Sequence, residues 1–159
     1  MPKRRSTSAA SPFRVLSPIH QANRQAGLRI DTLLADLSVT AQEGQCLAFI
    51  SARDGVPVTA IVRLLGVPKS TVTTLLQRLE RAGLIRRGDN PSDARSALLF
   101  TTGKGRRVGA AARERVLQLE RRIQSHLSEG DFRVLRRIVD AVTTETGINL
   151  PAEAARWKD

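Results

Sequence analysis

The side chains best suited to chemistry lie on one face of residues 69–82. If this segment is a helix, its outward side chains are polar or basic: Lys69, Ser70, Thr71, Thr73, Thr74, Gln77, Arg78 and Arg81. Serine and threonine are mediocre helix formers, so helix propensity does not explain their density here. This face has short hydroxyl groups near the helix N-terminus, longer cations further along and one acid, Glu80. Such a face suits contacts with phosphates and base edges.

A shorter helix is predicted directly before this one, over residues 58–65, with a turn at Gly66, Val67 and Pro68. Two short helices joined by a tight glycine-containing turn form a helix-turn-helix. Four apolar residues of the second helix share one face, which we expect to pack inward: Val72, Leu75, Leu76 and Leu79. The polar face is then left outside, and the free N–H groups of the helix N-terminus can hold a phosphate.

A β-hairpin is predicted next, from strand-like runs at residues 84–87 and 97–100 joined by turn residues. Arg86 and Arg87 lead into the loop, and Arg95 leaves it. An arginine at a loop tip can enter the minor groove of DNA, and Asp93, two residues before Arg95, can hold that guanidinium by a charge-assisted hydrogen bond. The alternative is an exposed loop ion pair of little energetic value.

The basic excess is concentrated in two regions. The chain carries a net charge of +11, and residues 54–107 contain ten basic and four acidic side chains. Residues 1–14 contain four basic side chains and no acid. A basic surface attracts phosphate backbones; the alternative is a generally solvated surface on a basic protein.

The remaining segments predict helices. Apolar spacing indicates a first helix over residues 19–37, and Thr40 with Glu43 forms a capping box for a second, to about residue 52. Thr102 can cap a long fifth helix, and Ser128 with Asp131 marks a sixth that Gly147 would close. The fold class is therefore mainly α with a small β-hairpin wing. The first and last helices carry apolar faces too extensive for a small domain to cover, which indicates an interface.

Other classes of function find little support. Glycine-rich phosphate loops, nucleophile elbows and zinc-protease motifs are absent from the sequence, and Cys46, His20 and His126 do not have metal-ligand spacing. We expect no enzyme activity, cofactor, metal or membrane span, and a cytoplasmic location. A protein-binding winged helix is the main alternative, although protein interfaces favour aromatic anchors.

Residues 40–105 resemble the MarR family of bacterial winged-helix regulators. The resemblance lies in LLGVPKSTVTTLLQRLERAGLIRR (64–87) and DNPSDARSALLFTTGKG (89–105). It implies a winged helix-turn-helix plus a helical dimerisation domain, and a homodimer that binds a pseudopalindromic operator in double-stranded DNA. A repressor is expected, and control by a small-molecule effector or by redox chemistry is frequent in the family.

Site residues are carried over from this resemblance by position. Lys69, Ser70, Thr71, Thr74 and Arg78 would meet the major groove and its phosphates, with Thr73 and Gln77 on the same face. In the wing, Arg86 and Arg87 would flank the loop and Arg95 would enter the minor groove beside Asp93. Alternatively, Ser70 and Thr71 only cap the helix.

The resemblance also divides the chain. It implies a dimerisation region (15–39 and 102–147), a DNA-binding region (40–101) and a tail (148–159). The polar, basic composition of residues 1–14 predicts a disordered arm, which either touches DNA or is only solvated. Gly44 stands where the family usually has an aromatic residue, so we expect space near the junction of the two regions. With no tyrosine and four phenylalanines, the chain has few rings to stack on an aromatic ligand, which argues against a phenolic effector. Cys46 is expected to pack as a small hydrophobe, with a redox switch as the alternative.

Overall fold

The computed structural model describes residues 13–53, 55–91 and 97–146. Its elements are α1 (Leu16–Leu34), a 3₁₀ turn (Ala35–Leu37), α2 (Ala41–Ser51), β1 (Val56–Pro57), α3 (Val58–Leu65), α4 (Lys69–Arg81), β2 (Ile85–Asp89), β3 (Ala97–Thr101), α5 (Gly103–Gln124) and α6 (Glu129–Thr146). The predicted order of four helices, a hairpin and two helices is confirmed. Residues 1–12 of the basic arm, the closing residue Gly147 and the C-terminal tail lie outside the described residues.

The sheet has one strand more than the sequence predicts. Its order is β1-β3-β2, with antiparallel pairing throughout. Val56 in β1 pairs with Leu99 in β3, and Leu99 pairs on its other side with Arg87 in β2. A two-residue strand is too short to show alternation in the sequence, so β1 is recognisable only from its hydrogen-bonded partner.

The first helix begins and ends earlier than predicted. It spans Leu16–Leu34, and the 3₁₀ turn that follows ends at Ser38, whose φ of 55° lies in the left-handed region. Further along the chain, the predicted helix starts at Thr40, Thr102 and Ser128 are confirmed. Each hydroxyl accepts a hydrogen bond from the backbone N–H three residues later. At Thr40 and Ser128 the capping box is complete, because the carboxylates of Glu43 and Asp131 accept a hydrogen bond from the backbone N–H of Thr40 and Ser128, respectively.

The core lies between α2, α5 and the helix-turn-helix, and Cys46, Leu47 and Ile50 of α2 are fully buried in it, as predicted. The expectation that Gly44 leaves space is wrong. A Cβ atom at Gly44 would lie 3.1 Å from Leu34 Cδ1 and 3.4 Å from Ala112 Cβ, because α1 and α5 close over this turn of α2. Within the described residues, no helix is long and apolar enough to cross a membrane.

Candidate nucleic-acid interface

The two faces of α4 are separated as the sequence predicts. Val72, Leu75, Leu76 and Leu79 are buried against the core. The outward set is exposed along the whole helix: Lys69, Ser70, Thr71, Thr73, Thr74, Gln77, Arg78 and Arg81. Burial of the leucine face anchors α4 to the core, so the polar face is displayed on a rigid element.

The start of α4 favours contact with an external group over internal capping. Pro68 occupies the N-cap position, and no side chain caps the helix there. The alternative in which Ser70 and Thr71 only cap the helix therefore does not hold. Helix N-termini without a side-chain cap present free N–H groups and a partial positive charge to an anion.

Two threonine hydroxyls of this face already donate hydrogen bonds within the helix. Thr73 donates to the carbonyl oxygen of Lys69 at 2.9 Å, and Thr74 donates to that of Ser70 at 3.2 Å. Their oxygen lone pairs and methyl groups remain available. Base amino groups and thymine methyl groups are the partners that such atoms suit in the major groove.

Arg78 is an outward cation that forms an ion pair with a buried carboxylate. Its Nε atom lies 3.2 Å from Oε1 of Glu43 in α2, and its side chain stays 56% exposed. Sequence reasoning identified Glu43 as a capping residue but not as the partner of Arg78. Thirty-five residues separate the two in the sequence, and no local pattern links them.

Acidic charge near α4 is neutralised by the wing. Glu80, the single acid of α4, accepts hydrogen bonds from Nε and Nη2 of Arg87 at 2.8 and 3.4 Å. The guanidinium of Arg86 stacks over the Phe100 ring, 4.6 Å from its centroid. Both arginines therefore lie on the β2 strand with defined directions, whereas the predicted pair Asp93 and Arg95 lies outside the described residues.

An open cleft of about 610 Å³ lies between α1, α2 and residues 71–78 of α4. Its walls include Asp31 and Glu43 together with Arg78 and two threonines of α4. Among the described residues that line it, none is aromatic. Such a lining suits a hydrogen-bonding or charged molecule better than one that needs ring stacking.

Helices α3 and α4 with the β2–β3 hairpin define the class of the domain, a winged helix-turn-helix. Residues 37–96 match the model of the MarR family. The matched segment of the chain is therefore similar to MarR-family transcriptional regulators, in agreement with the resemblance seen in the sequence.

Individual relatives show the same similarity. The transcriptional repressor Rv2887 of Mycobacterium tuberculosis is 25% identical over 116 residues, which cover 73% of this chain and 84% of the relative. A MarR mutant from E. coli, complexed with operator DNA, superimposes with a TM-score of 0.70 at 23% identity, covering 79% of this chain and 91% of MarR. The S. aureus MepR–DNA complex gives 0.75 at 22% identity, with coverages of 82% and 96%. At these identities the two structures show the fold alone, and they confirm the predicted fold class.

Proposed function

We propose that this chain is a transcription regulator that binds a specific double-stranded DNA sequence as a homodimer. One observation carries the proposal. The exposed face of α4 bears hydroxyl groups and cations, and its one acid, Glu80, is neutralised by Arg87. Because DNA recognition needs base-edge contacts from a helix that carries little uncompensated negative charge, this face suits the major groove.

The relatives support the same function. MarR and MepR have each been crystallised with DNA, and Rv2887 is named a repressor. By analogy we infer that this chain represses transcription by occupying an operator. A protein that meets chromosomal DNA in a bacterium would work in the cytoplasm.

The homodimer is inferred from uncovered apolar surface. None of the residues of α6 is buried, and several large apolar side chains of α1, α5, α6 and the α5–α6 connection are exposed: Leu16, Ile19, Ile123, Leu127, Val134, Leu135, Ile138 and Val139. A contiguous apolar patch of this kind usually marks an interface. A second copy would bury it and present two α4 helices about 34 Å apart, the spacing of half-sites in a pseudopalindromic operator.

DNA binding is tested with sites selected by the wild-type protein from a random library, measured against salt concentration. Lys69→Ala, Arg78→Ala and Arg95→Ala should each weaken binding by about 1–3 kcal/mol, and loss of a phosphate contact should reduce the salt slope by about 1. Arg122→Ala, in the C-terminal half of α5, is the control and should bind like wild type. If no DNA is enriched and no salt-dependent affinity is found, the protein-binding alternative replaces this proposal.

The dimer is tested separately by sedimentation. Leu135→Asp places a charge in the apolar patch and should shift the protein to a monomer, with a large loss of operator affinity because half-sites are then bound singly. Thr144→Asp, on another face of α6, adds the same charge and should remain dimeric. A wild-type monomer at micromolar concentration would contradict the dimer while leaving DNA binding by α4 open to its own test.

We also propose the cleft between α1, α2 and α4 as the place where a small-molecule effector would act. A ligand there would touch α4 and the helical body at once, so it would alter DNA affinity if it favoured one arrangement of the two. Gly27→Trp should fill the cleft from α1, away from the DNA-binding face of α4, and abolish the response to any compound that releases the DNA, while DNA affinity without the compound stays that of wild type.

A further inference from the structure

Glu43 has an unusual environment for a charged residue. Its side chain is only 4% exposed, and Glu43 is the one charged residue that is buried within the described ranges. Burial of a carboxylate is costly unless both oxygens find partners. The partners of this carboxylate therefore indicate what it does.

The two carboxylate oxygens of Glu43 have different partners. Oε2 accepts a hydrogen bond of 2.8 Å from the backbone N–H of Thr40, while the Thr40 hydroxyl accepts one from the N–H of Glu43. This box fixes the carboxylate against the first turn of α2. Oε1 is thereby directed at α4, where Nε of Arg78 lies 3.2 Å away.

The contact holds Arg78 through the base of its guanidinium group. The ion pair joins Nε to Oε1 of Glu43, and the Arg78 side chain is 56% exposed. An arginine side chain loses rotamer freedom when it binds a phosphate or a base. A guanidinium that is already oriented loses less, so its contact with DNA becomes tighter and more specific.

We propose that Glu43 is a positioning residue for DNA recognition, which holds the guanidinium of Arg78 in its DNA-binding orientation and ties α4 to α2. This inference rests on the proposed DNA-binding function. It assigns Glu43 a role beyond helix capping, and it makes the Glu43–Arg78 pair a determinant of which DNA sequence is bound.

Replacing Glu43 by a neutral residue distinguishes the positioning role from simpler roles, because the roles predict opposite changes in DNA affinity. Removing a negative charge near DNA strengthens binding if only long-range electrostatics count. Binding also strengthens if Glu43 merely competes with DNA for Arg78. DNA binding weakens only if the loss of the Arg78 orientation costs more than is gained by removing the negative charge and the competition for Arg78.

Glu43→Gln is the appropriate variant because glutamine keeps the size of the side chain and can accept the Thr40 N–H bond through its amide oxygen. Affinity is measured for the DNA site selected by wild type and for a scrambled duplex. We expect selected-site affinity to fall three- to tenfold, with affinity for the scrambled duplex unchanged or slightly higher. In an Arg78→Ala background, Glu43→Gln should cause no further loss, and Glu120→Gln in α5 controls for the charge change.

A second readout needs no DNA. The order parameter of the Arg78 Nε–H vector, assigned by comparison with Arg78→Lys, should be higher in wild type than in Glu43→Gln, because the ion pair restricts the motion of the guanidinium. Circular dichroism and thermal unfolding of each variant establish that the fold is retained.

The outcomes are distinguishable. Equal or tighter selected-site binding by a folded Glu43→Gln protein would overturn the positioning role while leaving the proposed function intact, as would an undiminished loss in the Arg78→Ala background. If wild type binds no DNA, the proposed function fails, and this inference fails with it.

Discussion

The ammonium group of Lys104, in the first turn of α5, donates a hydrogen bond of 2.9 Å to the carbonyl oxygen of Ala82, the residue that ends α4. Thr102 donates to the next carbonyl oxygen, that of Gly83, at 2.7 Å. Cations and donors at a helix C-terminus satisfy its free carbonyl groups and its dipole. The end of the candidate recognition helix is therefore held by the start of the long helix α5.

Gly105 makes the close approach of these two helices feasible, and its substitution should disrupt them. A Cβ atom at Gly105 would overlap the carbonyl oxygen of Leu84 and lie 2.8 Å from its carbonyl carbon. Backbone atoms cannot rotate away, so Gly105→Ala should lower the free energy of unfolding by about 3 kcal/mol. Gly103→Ala in the same turn, where a Cβ would meet only Arg107 Nη1 at 3.9 Å, should leave the urea midpoint unchanged or higher.

Gly44 should tolerate alanine but no larger side chain. The gain in helix propensity from Gly44→Ala, about 1 kcal/mol, is offset by the tight contact with Leu34, so the net change should be within about 1 kcal/mol. Gly44→Phe should instead destabilise the protein by about 2 kcal/mol or more. Gly27→Ala in α1 has open space around it and should raise stability by about 0.5–1 kcal/mol. A stable Gly44→Phe protein in thermal unfolding would contradict the packing described.

Cys46 should be inert in the folded protein. Burial, with a further contribution from the nearby charge of Glu43, raises the pKa of the Cys46 thiol from its ordinary value of 9.0 to about 12. Thiol reagents need the thiolate, so labelling at pH 8 should proceed only as fast as the protein unfolds, and peroxide should leave DNA binding unchanged. Rapid stoichiometric labelling with intact circular dichroism would instead support the redox alternative.

The same pKa shift has a consequence for stability. The unfolded chain exposes a thiol that ionises near pH 9, while the folded chain keeps it protonated, so the free energy of unfolding should fall as pH rises above about 9. Cys46→Ala should show a smaller alkaline loss in urea titrations at pH 7 and pH 10. An equal loss of the free energy of unfolding between pH 7 and pH 10 in the two proteins would exclude this contribution of the thiol.

The pair Asp36–Arg115 should give an acid-dependent contribution to stability. Arg115 in α5 hydrogen-bonds both carboxylate oxygens of Asp36 and donates to the carbonyl oxygen of Leu33 at 2.8 Å. The side-chain hydrogen bond from Arg115 holds the pKa of Asp36 below its ordinary value of 3.8. The stabilisation is therefore complete above about pH 4 and is lost as pH falls through the lowered pKa of the folded state.

Asp36→Asn is the direct test of that pair. The difference in melting temperature between wild type and this variant should be constant near neutral pH and should shrink at acid pH. It should also be small in high salt, because Asp36 is largely exposed. Asp140→Asn, whose side chain makes no ion pair in the described part of the chain, is the control for removal of an exposed carboxylate elsewhere.

Local patterns in the sequence determined most of the elements and the chemistry of the exposed face. The two faces of α4 follow from side-chain spacing alone, since residues three and four apart share a helix face. The boxes at Thr40 and Ser128 follow from residues only three positions apart. The roles of Arg95 and Asp93 remain predictions from the sequence.

Only the tertiary structure decided which distant residues meet. β1 exists because Val56 pairs with Leu99, Glu43 reaches Arg78 because α2 packs beside α4, and Lys104 reaches Ala82 because Gly105 lets α5 approach. Each contact joins residues at least 22 positions apart in the chain. No helical or strand period extends so far, so such contacts depend on how the finished elements pack against one another.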